Sequence, residues 1–284
     1  MRRLFFGSSL TSRAVSKGIY PVFFKEDERM NNKKTRVHFI GAGPGDPELM
    51  TIKGQRCIKE ADLVLYAGSL VPAASVACAK KDAKVVDSSS MTLEETHAMI
   101  LETVGSGGVV ARVHTGDPSL YGAIKEQMIF LDRDDIPYEI VPGVTVAFAA
   151  AAAAKVSFTL PEKAQTLILT RLAGRTPVPD REQLRDLARH NTSLAIYLSA
   201  EKPEDVVEAL LEGGYPEDTP VVVAHKVGWP DERIMVTRIS ALSETVHNAG
   251  IKKQAIFLIL PGQGDDPVFS RLYSPQFSHG FRSG

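Results

Sequence analysis

Residues 109–122, VVARVHTGDPSLYG, concentrate types whose order suits ligand chemistry. Apolar and β-branched positions run into Arg112, Val113 and His114, the pattern of a buried parallel strand. Thr115-Gly116-Asp117-Pro118 then breaks the strand, and a helical pattern resumes over Ser119–Leu131. A strand feeding a glycine turn and a helix puts that turn at the carboxyl edge of a sheet, where open α/β folds bind ligands. Gly116 permits close backbone approach, Asp117 can cap the next helix, and Pro118 suits its first turn. On this spacing alone, plain helix capping competes with a cofactor site.

A second glycine turn, Gly41-Ala42-Gly43-Pro44-Gly45, follows the first strand. A dinucleotide site would need its third fingerprint glycine where this chain has Asp46, whose carboxylate would face the pyrophosphate. Pro44 and Pro47 also remove N–H donors from a loop meant to cradle phosphate. The acid expected at the end of the second strand is missing, because Asp62 opens that strand and Tyr66-Ala67-Gly68 closes it. A loop poor in donors and without adjacent positive charge suits a ligand lacking phosphates. S-adenosylmethionine is such a ligand, with an adenosine, a methionine end and a sulfonium that backbone carbonyls can surround without a metal.

Elements that place these turns alternate regularly. Strands are expected over Arg36–Ile40, Asp62–Tyr66, Lys84–Asp87, Val109–His114 and Tyr138–Val141. Helices are expected over Thr51–Glu60, Ala73–Lys80, Thr92–Gly105 and the alanine-rich Val146–Lys155. That alternation predicts a first α/β domain, residues 36–157, with a mostly parallel five-stranded sheet. Residues 158–262 predict a second α/β domain with a mixed sheet. Its strands are Thr166–Arg171, Ser193–Leu198, Pro220–His225, Arg233–Thr237 and Gln254–Leu260, and its helices Asp180–His190, Pro203–Glu212 and Ser240–Asn248. The turn Trp229-Pro230-Asp231-Glu232 predicts that Arg233–Thr237 pairs antiparallel with a neighbour. Residues 1–35 read as a disordered leader, with Met30 a candidate working start, and residues 263–284 as a tail.

Composition excludes several classes. A net charge of −1 over 284 residues gives no basic field for nucleic acid. No apolar run approaches membrane-spanning length, since Lys155 closes the alanine stretch. Cys57 and Cys78 lack metal-ligand spacing and read as reduced thiols of a cytoplasmic protein. No metal site is expected.

Three motifs together carry a resemblance: GAGPGDPELMT after the first strand, RVHTGDPSLYG at the fourth and VPGVT after the fifth. In that order they resemble the tetrapyrrole methyltransferase superfamily, over roughly Arg36 to Gly262. The match is most similar to its precorrin-4 C(11)-methyltransferases, including the cobalt-precorrin-4 form, on several segments. These are His114 before the Gly-Asp-Pro turn, Tyr121–Ile124 with Glu126–Met128 after it, Thr170-Arg171, Gly174–Pro179, Trp229–Glu232, Lys253–Ala255 and His279–Arg282. The resemblance implies two α/β domains, S-adenosylmethionine in the cleft between them with S-adenosylhomocysteine as product, and a homodimer. It places Pro44 in the loop flooring the cleft. Thr115, Gly116, Asp117, Leu120 and Tyr121 would line the cofactor, Thr145 and Val146 its methionine or ribose end, and Leu198, Ala224 and His225 its adenine. Val146 stands where relatives often carry a smaller residue, so it reads as a wall.

Methyl transfer to a ring carbon of an electron-rich macrocycle depends on positioning and dehydration. A flat macrocycle fringed with carboxylates calls for a trough lined with Arg. The candidates are Tyr66, Arg112, His114, Arg171, Arg175, Lys226 and Trp229. Each Arg is otherwise a solvated charge or an ion-pair partner, and Trp229 otherwise anchors its hairpin. His114 is either a satisfied strand-end imidazole, a substrate contact or a proton-transfer group. Two competing expectations remain: a superfamily enzyme acting on another macrocycle carbon, uroporphyrinogen-III, a protein or an RNA base, and a nucleotide-binding module without catalysis.

Overall fold

A computed structural model describes residues 36–264, 269–270, 274–278 and 280–281. The leader at residues 1–35 and His279 and Arg282 of the tail motif lie outside the described residues. The first sheet comprises β1 (Val37–Gly41), β2 (Leu63–Tyr66), β3 (Lys84–Asp87), β4 (Val110–His114) and β5 (Tyr138–Val141). Its order is β3-β2-β4-β1-β5, every pair parallel, with Gly41 beside His114 at the carboxyl edge. Its inner strands β1, β2 and β4 are buried on both faces, which is why they read as apolar runs. Ile40, Val64, Ala111 and Val113 meet Cys57 and Ile58 of α1 (Ile52–Glu60). Val37, Phe39, Leu65 and Val110 meet Ile100 of α2 (Leu93–Gly105) and Leu131 of α3 (Ile124–Arg133). α2 starts on a reciprocal cap: Thr92 Oγ1 accepts Glu95 N–H, and Glu95 Oε2 accepts Thr92 N–H.

α4 (Val146–Ala154) leaves the first sheet and lays its alanines on the second. Small side chains let the helix lie close to that sheet, against Ala195, Val222, Ala224 and Leu258. The second sheet holds β6 (Leu167–Arg171), β7 (Ser193–Tyr197), β8 (Pro220–His225), β9 (Arg233–Arg238) and β10 (Ala255–Ile259). Its order is β6-β7-β10-β8-β9, with only β6 and β7 parallel. The opposite face packs on α5 (Leu184–Ala188), α6 (Pro203–Glu212) and α7 (Leu242–Asn248) through Leu184, Leu210, Val246 and Phe257.

Three expected helices are corrected. The helical reading of Ser119–Leu131 starts too early, because Tyr121 (φ 55°) and Ala123 (φ 48°) are left-handed and α3 begins at Ile124. Ala73–Lys80 is one 3₁₀ turn over Ala73–Val76, held by i→i−3 bonds such as Ala77 N–H to Ala74 O. Asp180–His190 is broken at Gln183, whose ψ of 139° separates a 3₁₀ turn from α5.

Candidate active site

The carboxyl edge of the first sheet is built by backbone touching backbone. Gly116 N–H donates to Gly43 O at 2.8 Å and Gly43 N–H to Gly116 O at 3.3 Å, while Ala42 N–H reaches His114 O at 2.8 Å. A Cβ on Gly41 would fall 2.5 Å from Gly143 Cα, and one on Gly143 would fall 2.1 Å from Gly116 O. Gly41 and Gly143 are thus required for the close approach of the turns, Gly116 holds a left-handed backbone (φ 59°), and no phosphate need explain them.

Two aspartates finish these turns in the same way. Asp46 Oδ1 accepts Glu48 N–H at 2.8 Å, and Asp117 Oδ1 accepts Ser119 N–H at 2.8 Å. Asp117 does not cap α3 as the sequence suggested, since that helix starts seven residues later. Its second oxygen instead takes Gly143 N–H at 3.0 Å and ties the β4 turn to the β5 turn.

The second sheet closes over this edge. The Trp229 indole fills the space that a Gly45 side chain would need, 2.4 Å from a Cβ built there, and donates to Pro44 O at 3.3 Å. Gln254 Nε2 donates to Ser69 O at 3.1 Å. Thr145 Oγ1 lies 2.6 Å from the Tyr197 phenol oxygen, and the Tyr121 and Tyr197 rings are 5.4 Å apart. Leu120 and Val146 pack against the second sheet's apolar face. Pro44, Thr115, Gly116, Asp117, Leu120, Tyr121, Thr145 and Val146 therefore gather along one seam. Beyond it, Ala224 and His225 are buried, and Leu198 holds a left-handed backbone (φ 52°) with its side chain 70% exposed. An exposed leucine at the end of a buried strand is an apolar surface that a purine ring can cover.

Groups expected to hold substrate carboxylates are placed unevenly. Arg112 is enclosed: Nε donates to Gln127 Oε1 at 3.0 Å and Nη1 to Ser88 Oγ at 2.7 Å, and burial lowers its pKa to about 10. His114 is 7% exposed and its Nε2 has no partner among the described residues. Burial, and then the Arg112 charge, lower its pKa to about 3, so the imidazole is neutral. Arg171 turns its guanidinium onto the loop that follows it, donating to Leu172 O at 3.0 Å, Thr176 O at 3.1 Å and Pro177 O at 2.8 Å. It lines a groove of about 350 Å³ with Tyr121, Pro177, Val178, Pro179 and Glu182. Arg175 is exposed in that loop, Tyr66 packs partly buried beside α1, and Lys226 pairs with Asp231. Arg233 donates to His225 Nδ1 at 3.2 Å, and burial lowers the His225 pKa.

Away from the seam, His38, Cys57 and Glu139 bring donor atoms within 4.8 Å of one another. Glu139 already takes His38 Nδ1 at 2.8 Å and Lys53 Nζ at 2.5 Å, an ion-pair network tying α1 to the edge strand β5.

A family model for tetrapyrrole (corrin/porphyrin) methylases matches residues 36–243, the span that carries the first sheet, four strands of the second and every glycine turn of the seam. The chain belongs to the tetrapyrrole methylases. It is 48% identical over 255 residues to a cobalt-precorrin-4 C(11)-methyltransferase of Priestia megaterium, covering 88% of this chain and 98% of that one. The solved structure of a cobalamin biosynthetic enzyme, cobalt precorrin-4 methyltransferase, superimposes with a TM-score of 0.78 at 48% identity, covering 79% of this chain and 94% of that one. A uroporphyrin-III C-methyl transferase from Thermus thermophilus, solved with S-adenosylhomocysteine, gives a TM-score of 0.65 at 28% identity over 79% of this chain and 97% of that one. As a tetrapyrrole methylase, the chain is a methyltransferase. The residue missed by sequence reasoning is Tyr197, whose apolar strand gave no sign of a polar contact with Thr145.

Proposed function

We propose that this methylase is the S-adenosylmethionine-dependent C-methyltransferase of cobalamin biosynthesis that methylates C-11 of precorrin-4 or cobalt-precorrin-4. The observation that carries the reading is the 48% identity to a relative of that name along 98% of its length. The seam adds support. It offers few free N–H donors, no free cation beside its glycines, an exposed Leu198 and a hydroxyl at Thr145, a set that fits adenosine, a methionine end and a sulfonium.

When bound, S-adenosylmethionine supplies the methyl group. The chain's own part is to hold and enclose. The Gly43–Gly116 pairing and the Asp117 clamp fix the floor, and Leu198 and His225 border the adenine. Trp229 against Gly45 keeps the two sheets together and water out. The macrocycle's pyrrole nitrogens make its ring carbon electron-rich, so position and dehydration account for the acceleration. The groove at Arg171, with Arg175 on its exposed loop, lies beside Tyr121 and suits an acidic macrocycle.

The reading divides the chain into residues 36–157 and 158–262, with the cofactor between them, in a cytoplasmic homodimer. No described helix is long and apolar enough to cross a membrane, and both cysteines are free. Calorimetric titration of the pure protein with S-adenosylhomocysteine tests the cofactor. One site per chain is expected; no heat from folded protein would remove the proposal.

A further inference from the structure

Tyr197 ends β7 and is 9% exposed, yet its phenol oxygen reaches the N-cap residue of α4 in the chain's other half. The phenol oxygen lies 2.6 Å from Thr145 Oγ1. Thr145 stands at the N-cap of α4 without making a capping bond through its side chain. The Thr145 hydroxyl is therefore not committed to its own helix.

This arrangement sets the direction of the short bond. A buried phenol hydrogen needs an acceptor, and the one in reach among the described residues is Thr145 Oγ1. The bond therefore runs from Tyr197 O–H to Thr145 Oγ1. The hydrogen of Thr145 is left over, directed away from Tyr197. Burial raises the Tyr197 pKa, so the phenol keeps its proton at neutral pH. The Tyr121 ring, 5.4 Å away, covers Tyr197. Thr145 itself is only partly buried, and its Cα lies 3.8 Å from a Cβ built on Gly116, on the wall facing the β4 turn.

We infer that Tyr197 is a positioning residue that fixes the Thr145 hydroxyl as a hydrogen-bond donor to an oxygen of the bound cofactor, carboxylate or ribose. The inference rests on the proposed S-adenosylmethionine site. A hydroxyl free to rotate presents a lone pair as readily as a hydrogen; here the phenol has taken that choice away. An oxygen-rich end of the cofactor is then met by a donor whose orientation is already set before binding.

The test is a double-mutant cycle read by calorimetry with S-adenosylhomocysteine. Y197F and T145V should each raise Kd about five- to tenfold, as expected for one hydrogen bond, and the double variant should be no weaker than T145V alone. T145S should restore wild-type affinity. Independent, multiplicative losses would overturn the inference, as would wild-type affinity in Y197F. A purely structural role would lower the melting temperature of Y197F without coupling to Thr145, and would overturn the inference. If Y197F does not fold, T145V against T145S in the otherwise unaltered chain still decides, because wild-type affinity in T145V overturns the inference. Methylthioadenosine, which lacks the amino-acid end, locates the acceptor: coupling lost with it assigns the carboxylate, and coupling retained assigns the ribose. Failure of the unaltered protein to bind S-adenosylhomocysteine would instead contradict the proposed function.

Discussion

The carboxylate of Asp117 accepts the N–H of Gly143, 26 residues further along the chain, and so joins the turns after β4 and β5 into one floor. Its other oxygen closes its own turn on Ser119. Removing both bonds leaves two N–H groups without their anionic partner. D117A should cost about 2 kcal/mol in urea unfolding. It should also weaken S-adenosylhomocysteine binding. D117N, which keeps one acceptor oxygen, should lose about half as much stability. Unchanged stability in D117A would show that the two turns hold each other without the clamp.

Gly45 and Trp229 make a second, steric relationship. G45A places a methyl 2.4 Å from the indole and 2.8 Å from Val227 O, so the segments must part. Overpacking of this kind costs about 1–3 kcal/mol. In a W229A background the same substitution should cost less, since the nearest obstacle is gone. Equal penalties in both backgrounds would contradict the packing described.

His114 gives the stability a pH dependence of fixed sign. Its pKa is near 6.5 when unfolded and about 3 when folded, lowered by burial and then by Arg112. Between those values the unfolded chain binds a proton that the folded chain refuses, so stability falls as pH drops below about 6.5. The slope reaches about 1.4 kcal/mol per pH unit for this one group. His225, also lowered by burial, acts in the same direction. Urea midpoints at pH 7, 6 and 5 should therefore fall in the wild type and fall less steeply in H114Q. Equal slopes in the two proteins would show that His114 titrates normally.

Arg171 should behave as a clamp on its own loop. R171M releases the carbonyls of Leu172, Thr176 and Pro177. Cleavage within residues 172–179 by proteinase K should accelerate several-fold, and KM for the macrocycle should rise. R171K, with one ammonium in place of a fork, should correct this only in part. R175M should raise KM without changing the cleavage rate.

The strand tips and glycine turns were legible because buried parallel strands are continuous apolar runs and because Gly-Asp-Pro is a distinct break. Long-range partners were not. Arg112 and Arg171 looked like free cations, yet Gln127, Ser88 and backbone carbonyls occupy them. Nothing near Trp229 announces Pro44, 185 residues away. The onset of α3 was misplaced because helical periodicity does not register two left-handed residues, Tyr121 and Ala123. Tyr197 was missed for a related reason: within SLAIY it reads as one more apolar strand residue, and only its fold neighbour Thr145 gives the phenol a role.

The central claim is that the crevice between the sheets directs a methyl group from a sulfonium to one macrocycle carbon. Its most direct test is incubation of the protein with methyl-labelled S-adenosylmethionine and precorrin-4, with and without cobalt, followed by carbon NMR of the product. One new labelled methyl at C-11, together with S-adenosylhomocysteine in equal amount, is the expected result. Label at another carbon, or none with folded protein and intact substrate, would contradict the account.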